Sequence, residues 1–355
     1  MKTFRIAVLP GDGIGPEVTR EAVGVLGAVA SAADLRIETT EFPHGAEHFL
    51  KTGETFPQET IQGMRQYDAI LLGAIGDPRI EVGKLERAII SGLRFGLDLY
   101  INLRPIKLFD AKLCPLKDKG PEHLDLVVVR ENTEDLYTDM GGFFKKGTPD
   151  EVALQNMILT RKGADRLFQY SFELARKRSR KKLTMIDKAN AVRAFDLWTR
   201  AFAEIGDRDY PDIERDHAYI DAACMWLVKN PEWFDTVVTS NVFGDIFTDL
   251  GAVLQGGMGL AASGNIHPGQ VSMFEPIHGS APKYAGKNVA NPLAAILAVQ
   301  MMLDFLGEER AARAVENAVR GALVEGEIPS ANANNGLSTE QMGAIIRRRV
   351  KESWA

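Results

Sequence analysis

Short β-rich runs that give way repeatedly to longer stretches of helical periodicity constrain this chain more than any other feature. Phe4–Leu9 is apolar and leads through Pro10-Gly11-Asp12-Gly13-Ile14-Gly15 into a helix expected from about Pro16 to Ala33. Pro16 suits a first helical turn, where no backbone donor is lost. Ala69–Leu72, Leu124–Val129, Leu183–Ile186 and Thr236–Thr239 read as further strands. Arg161–Arg178, Ala191–Glu204, Pro292–Phe305 and Glu309–Glu325 read as helices. Strands separated by helices imply a partly parallel sheet covered on its faces. A length of 355 residues suits two domains or one large α/β unit. Gly256–Gln270 is glycine-rich and is expected to be a loop, with a domain change near it. Thr138–Val152 is weakly periodic and suits an arm or flap.

A formal charge of −6 speaks against a general nucleic-acid partner, whose phosphates such a surface repels. The basic runs Arg176–Lys182 and Arg347–Lys351 read as solvated helix ends. Cys114 and Cys224 lack metal-site spacing and are expected to be small buried hydrophobes. No apolar run reaches the roughly 18 residues of a membrane helix. Phe4–Leu9 is too short for a signal peptide, so no membrane contact is expected and the cytoplasm is the expected compartment.

The glycine-rich turn sits where a dinucleotide fingerprint would sit, but Pro16 replaces its third glycine. The turn still presents backbone amides at a helix start, where an anion is favoured; a plain tight turn explains it equally well. Asp245 and Asp249 are four apart and share a helix face, and Asp221 opens another apolar, helix-like stretch. Three carboxylates suit Mg2+ or Mn2+, with a solvated face as the alternative. Arg94, Arg104 and Arg130 suit an acidic substrate, since guanidinium grips carboxylates bidentately, although separate salt bridges would account for each. Tyr137 and Lys188 follow strand-like segments and could serve as acid or base if burial shifted them. His278-Gly279-Ser280-Ala281 offers amides and a hydroxyl to a phosphate.

Taken in order, these segments resemble the β-decarboxylating dehydrogenases, a family that includes the isopropylmalate, isocitrate, homoisocitrate and tartrate/malate enzymes. The resemblance runs over nearly the whole chain. It is carried by Leu9–Glu17, Asp98–Pro105, Arg130-Glu131-Asn132-Thr133-Glu134-Asp135-Leu136-Tyr137, Asp187-Lys188-Ala189-Asn190, Asn241–Asp249 and Glu275–Pro282. The resemblance implies an isopropylmalate-dehydrogenase-like two-domain α/β fold, with a mixed sheet covered by helices, and not a Rossmann fold. Residues 1–102 and 256–355 would form the cofactor domain. Residues 103–255 would carry substrate, metal and dimer contacts, with an arm near 138–152.

The same resemblance implies roles. Arg94, Arg104 and Arg130 would clamp the carboxylate that is lost, and Asp221, Asp245 and Asp249 would hold Mg2+ or Mn2+. Lys188 would help deprotonate the C2 hydroxyl and Tyr137 would protonate the product enolate. Lys188 and Asp221 would reach the partner subunit's site, which makes the partner a second copy in a homodimer with shared active sites. Glu275, His278, Gly279, Ser280, Ala281 and Asn291 would line the cofactor. Lys283 and Tyr284 stand where NAD-specific members carry an acidic residue and resemble the NADP-dependent isocitrate enzymes, so both NAD and NADP are expected to be accepted. The third substituent of the 2-hydroxy acid would be read by Arg87, Ile90 and Ser91. That signature is mixed: an inward Arg87 suits a tricarboxylate such as isocitrate, and an outward one leaves Ile89 or Ile90 to favour isopropylmalate, the substrate expected first. Some relatives are non-catalytic regulatory subunits that have lost catalytic residues; this chain keeps Tyr137, Lys188 and all three aspartates.

Overall fold

A computed structural model describes residues 2–354. Its strands, in chain order, are β1 Lys2–Gly11, β2 Leu35–Glu41, β3 Ala69–Ala74, β4 Ile101–Lys107, β5 Asp125–Glu131, β6 Gly141–Phe144, β7 Val152–Gln155, β8 Lys182–Asp187, β9 Glu214–Tyr219, β10 Thr236–Thr239, β11 Ala262–Ile266 and β12 Ser272–Pro276. The longer helices are α1 Gly15–Ala32, α2 Arg161–Lys177, α3 Phe195–Asp209, α4 Ile220–Lys229, α5 Asn241–Leu254, α6 Leu293–Phe305, α7 Glu309–Val324 and α8 Thr339–Glu352. The chain forms two compact units. The first comprises residues up to Leu99, Lys107–Pro121 and the chain from Ala252 onward; the second comprises Tyr100–Ile106 and Glu122–Gly251. Lys107–Pro121, expected with the middle segment, clusters with the first unit instead.

In the first unit the strand order is β2-β1-β3-β12-β11. β1 runs parallel to β2 and β3, and β12 is parallel to β3 but antiparallel to β11. All six residues of β3 are buried, as a central parallel strand with both faces covered requires. α1 and α6 cover one face, and Phe56, Ile61, Leu85, Ile89 and Leu93 pack on the other around Ile70 and Leu72; α6 is apolar around most of its circumference because neighbours surround it. The antiparallel β11 and Pro16 in the fingerprint separate this unit from a dinucleotide-binding Rossmann unit. In the second unit the order is β4-β5-β10-β8-β9, with β5, β10, β8 and β9 all parallel. α2 and α3 pack on each other through Phe168, Phe172, Trp198 and Phe202, whose rings meet edge-on or stacked at 5.1 to 5.4 Å.

Four expectations are corrected. Gly256–Gln270 is not all loop, because it contains β11, whose small residues Ala-Ser-Gly-Asn-Ile are fully buried. Gly264 explains the choice: a Cβ there would come within 3.0 Å of the Phe274 ring on β12. The helix expected from Ala191 begins only at Phe195. Cys114 and Cys224 are half-buried, not core. Several residues of the basic runs are also structural: Arg178 grips the buried Asp235 at 2.6 Å, and Arg347 reaches the buried Glu21 at 2.5 Å. The arm segment folds as an exposed hairpin of β6 and β7.

The turn after β1 is fastened by Asp12, which is buried. Its carboxylate accepts from the Ala46 amide at 2.6 Å and from the Gly76 amide at 2.9 Å, while Glu17 accepts from Gly286 at 2.5 Å. The Ile14 amide donates to the Ser280 carbonyl at 2.8 Å, which joins this turn to the loop after β12. Gly13 lies in between at φ +59°, and a Cβ there would stand 2.0 Å from the Ser280 oxygen. Both the left-handed backbone and the close approach demand glycine. Gly13→Ala is therefore expected to cost at least about 1 kcal/mol in urea unfolding; unchanged stability would show that turn and loop do not depend on that contact.

Candidate active site

Within the second unit, parallel pairing places Thr239 at the end of β10 beside Arg130 on β5, and α5 starts immediately after β10. Asn241, Asp245, Thr248 and Asp249 then fall on one face of α5. Gly244 lets the arginine lie against that helix, since a Cβ there would stand 2.5 Å from Arg130 Cγ. Arg130 is 1% exposed. Its Nη1 donates to Asp245 Oδ1 at 2.6 Å, and its Nε and Nη2 donate to Asn241 Oδ1 at 3.0 and 2.7 Å. Arg104, also buried, donates to Asn102 at 2.6 Å and to the Thr248 hydroxyl at 2.7 Å. Its Nη1 lies 3.3 Å from Asp245 and 3.5 Å from Asp249.

Tyr137 closes the cluster, its hydroxyl donating to Asp245 Oδ2 at 3.0 Å. Asp135 holds that turn in place by accepting from the Leu136 amide at 2.8 Å and from the Val242 amide at the start of α5 at 2.9 Å. Burial, and then the negative charge of Asp245, push the Tyr137 phenol above its ordinary range, so it is protonated at neutral pH. Burial also raises the Asp249 carboxyl; Arg104 opposes this and Asp245 reinforces it. Two carboxylates one turn apart, the second exposed and facing its arginine only at 3.5 Å, form an oxygen set that suits a hard divalent cation.

Lys188 and Asp221 form another pair. β8 and β9 are parallel neighbours with Asp187 opposite Tyr219, so the residues that follow each strand meet. Lys188 Nζ lies 2.5 Å from Asp221 Oδ1, and the aspartate side chain is 66% exposed. The structure thus groups Asp245 and Asp249 with Arg104, Arg130 and Tyr137, and gives Asp221 to Lys188.

The remaining expected residues lie in the first unit. Arg94 donates to Glu275 at 3.1 Å, and Glu275 also accepts from Asn265 at 2.7 Å. Arg94 Nε is buried without a hydrogen-bond partner. Gly279, Ser280, Ala281 and Pro282 wall one side of a cleft faced by Ile75, Gly76, Leu85 and Glu86. Ala281 adopts φ +41°, and Lys283 Nζ sits 4.7 Å from the centre of the Tyr284 ring. Burial lowers the His278 imidazole, which is therefore neutral. The Asn291 amide is occupied at both ends, accepting from the Leu293 amide at 3.0 Å and donating to the Ser330 carbonyl at 3.1 Å. Arg87 is exposed and folds back so far that a Cβ on Gly83 would meet its Nη1 at 2.6 Å, while Ile90 and Ser91 are half-buried. Asn241 and Thr248 were not singled out from the sequence; their i, i+4, i+7, i+8 spacing with the two aspartates carries that signal.

A model of the family described as isocitrate/isopropylmalate dehydrogenase matches residues 5–346. The chain is 48% identical to a 3-isopropylmalate dehydrogenase of Thermobifida fusca, with 99% of each chain covered. It is 46% identical to one of Corynebacterium glutamicum, covering 98% of this chain and all (100%) of that protein. Among solved structures, an isocitrate dehydrogenase from Methylococcus capsulatus superposes with a TM-score of 0.87 at 37% identity, covering 98% of this chain and 99% of that one.

Glu131, beside Arg130 on β5, is 1% exposed and accepts from the Thr133 and Glu134 amides at 2.7 and 2.8 Å. Burial pushes its carboxyl up to about 7 from an unfolded value of 4.5. The native state then holds a proton that the unfolded chain has released. This group's contribution to stability should therefore be whole below about 4.5 and fall progressively until about 7. Urea titrations across that window should show a decline in the parent protein that Glu131→Gln lacks; parallel curves would place the ionised form in the native state.

Proposed function

Because the chain belongs to the isocitrate/isopropylmalate dehydrogenase family, whose members are oxidatively decarboxylating dehydrogenases of small hydroxy acids, we propose that it oxidises 3-isopropylmalate at C2 and releases the adjacent carboxylate as CO2, a step of leucine biosynthesis. The observation that carries this reading is the Arg130–Asp245–Tyr137 cluster, in which a buried cation, a half-buried carboxylate and an exposed, protonated phenol meet at 2.6 and 3.0 Å.

Arg104 and Arg130 of the second unit offer guanidinium groups to the departing carboxylate, the role that the family resemblance also gives Arg94. Asp245 and Asp249, with Asp221 of a second copy, are the oxygen donors for Mg2+ or Mn2+. When bound, the metal polarises the C2 oxygen and steadies the electron pair that CO2 leaves behind. Lys188, serving the neighbouring copy's site, would take up the C2 hydroxyl proton as a neutral amine, after its pairing with Asp221 is relieved and its ammonium proton has passed to water. Tyr137 delivers a proton to the carbon that lost CO2, and its raised pKa keeps that proton in place at neutral pH. The Gly279–Ala281 amides and Ser280 would hold the phosphates of NAD or NADP, a cofactor whose nicotinamide ring supplies the hydride acceptor when bound. Lys283 would meet a 2′-phosphate, and Glu275, His278 and Asn291 would line the cofactor.

A homodimer with shared sites is part of the proposal. Its support is the apolar surface of α4 and α5, where Met225 is 70%, Ile246 56% and Val253 53% exposed, together with the bare β6–β7 hairpin. Isopropylmalate is favoured because Arg87 folds back on Gly83 and leaves Ile90 as the apolar reader. Isocitrate is the second reading, supported by the Lys283–Tyr284 pair.

Steady-state kinetics on a panel of 2-hydroxy acids should give isopropylmalate the highest kcat/KM; no turnover of it would end this assignment. Tyr137→Phe is expected to lower kcat by roughly 10²–10⁴ with little change in KM. Lys283→Ala should raise KM for NADP more than for NAD, and an equal effect on both would remove its assigned contact. A cofactor bias above about a hundredfold in either direction, near 2.7 kcal/mol, would refute dual use.

A further inference from the structure

We propose that His44, His48 and Glu54 of the first unit form a binding site for a divalent transition metal, Zn2+ above all, that uses none of the residues of the carboxylate centre. Their ligand atoms lie within 4.8 Å of one another. His48 Nε2 is 2.9 Å and His44 Nε2 3.9 Å from the same Glu54 Oε2. Ligand atoms around a tetrahedral zinc, each about 2.0–2.1 Å from the ion, stand roughly 3.3 Å apart, so the two spacings straddle the required one.

Local structure builds this arrangement. After β2 the chain passes Phe42-Pro43-His44-Gly45 and enters the short helix Ala46–Thr52. His48 is four residues past His44, and their ring centroids are 4.7 Å apart. Gly53 ends the helix at φ +75° and turns the chain back, which returns Glu54 to His48. The Thr52 hydroxyl fixes this turn, donating to the His48 carbonyl at 2.8 Å and accepting from the Glu54 amide at 3.1 Å. At the other end the Ala46 amide is tied to Asp12. The donors are thus set on a segment held at both ends.

His44 supplies the independent observation. The residue is 9% exposed and its ring packs edge-on against Phe56 at 4.8 Å. Its Nδ1 is buried with no hydrogen-bond partner, and its Nε2 faces Glu54 from beyond hydrogen-bond distance. With Nδ1 walled off and Nε2 turned toward Glu54, Nε2 is the nitrogen this ring can offer to an ion among the three donors. Two imidazoles and one carboxylate suit Zn2+ with a fourth position open, and are a poor set for Mg2+, which prefers oxygen throughout. Glu54, half exposed at 49%, leaves the ion a way in.

The test is a zinc titration of the metal-stripped full chain with millimolar Mg2+ present to occupy the carboxylate centre. Bound zinc is counted by equilibrium dialysis and Tm is followed in parallel. The parent protein should bind one zinc per chain and gain Tm with it. His48→Gln and Glu54→Gln, which leave the buried His44 intact, should each weaken that binding by at least about tenfold and abolish the Tm gain. Their Mg2+-dependent turnover should match the parent's, which shows that they fold. Zinc bound equally by parent and variants, or no zinc bound by the parent at micromolar concentrations, would overturn the site and leave His48–Glu54 an ordinary ion pair.

Discussion

A guanidinium that is 1% exposed must be answered from every side, and the second unit is arranged around that demand on Arg130. Removing a charge from water costs several kcal/mol unless partners replace the lost hydration. Asn241 and Asp245 do so from successive turns of α5, and Gly244 lies between them to admit the side chain. The position of the helix therefore follows from the need to pair the arginine. Asp245 is engaged at the same time by Arg104 at 3.3 Å and by the Tyr137 hydroxyl, so one carboxylate couples two cations, a phenol and, through the next turn, Asp249. A change at any member alters the electrostatics of all the others.

The first unit solves a different problem with the same chemistry. Asp12 and Glu17 are buried acids whose partners are backbone amides, at Ala46, Gly76, Gly286 and Asn288. Burial raises Asp12 above the usual carboxylate range even though those amides pull it down. The two acids gather loops that are distant in sequence around the turn, alongside the Ile14–Ser280 backbone bond.

Much of this was legible in the sequence because burial on both faces leaves long apolar runs. β1, β3, β5, β8 and β10 show such runs and were read as strands. β2 and β9 were not: they lie at the ends of the strand order, expose most of their residues and carry charged side chains, so periodicity had nothing to register. β11 escaped because it is buried largely through small and polar residues, with Gly264 lying against the Phe274 ring. At the site, helical spacing revealed that Asp245 and Asp249 share a face, and the ordered motifs named the arginines. Spacing could not reveal that Asp221 pairs with Lys188, because that contact depends on two strands being neighbours in the sheet.

The β6–β7 hairpin has a further consequence. A two-stranded ribbon has no core of its own, and Phe143 and Phe144 remain 62% and 65% exposed on this one. Its order therefore has to come from whatever surface it is laid against. In the proposed homodimer that surface would belong to the second copy, and by mass action dilution would then act as a denaturant for this one element of the fold.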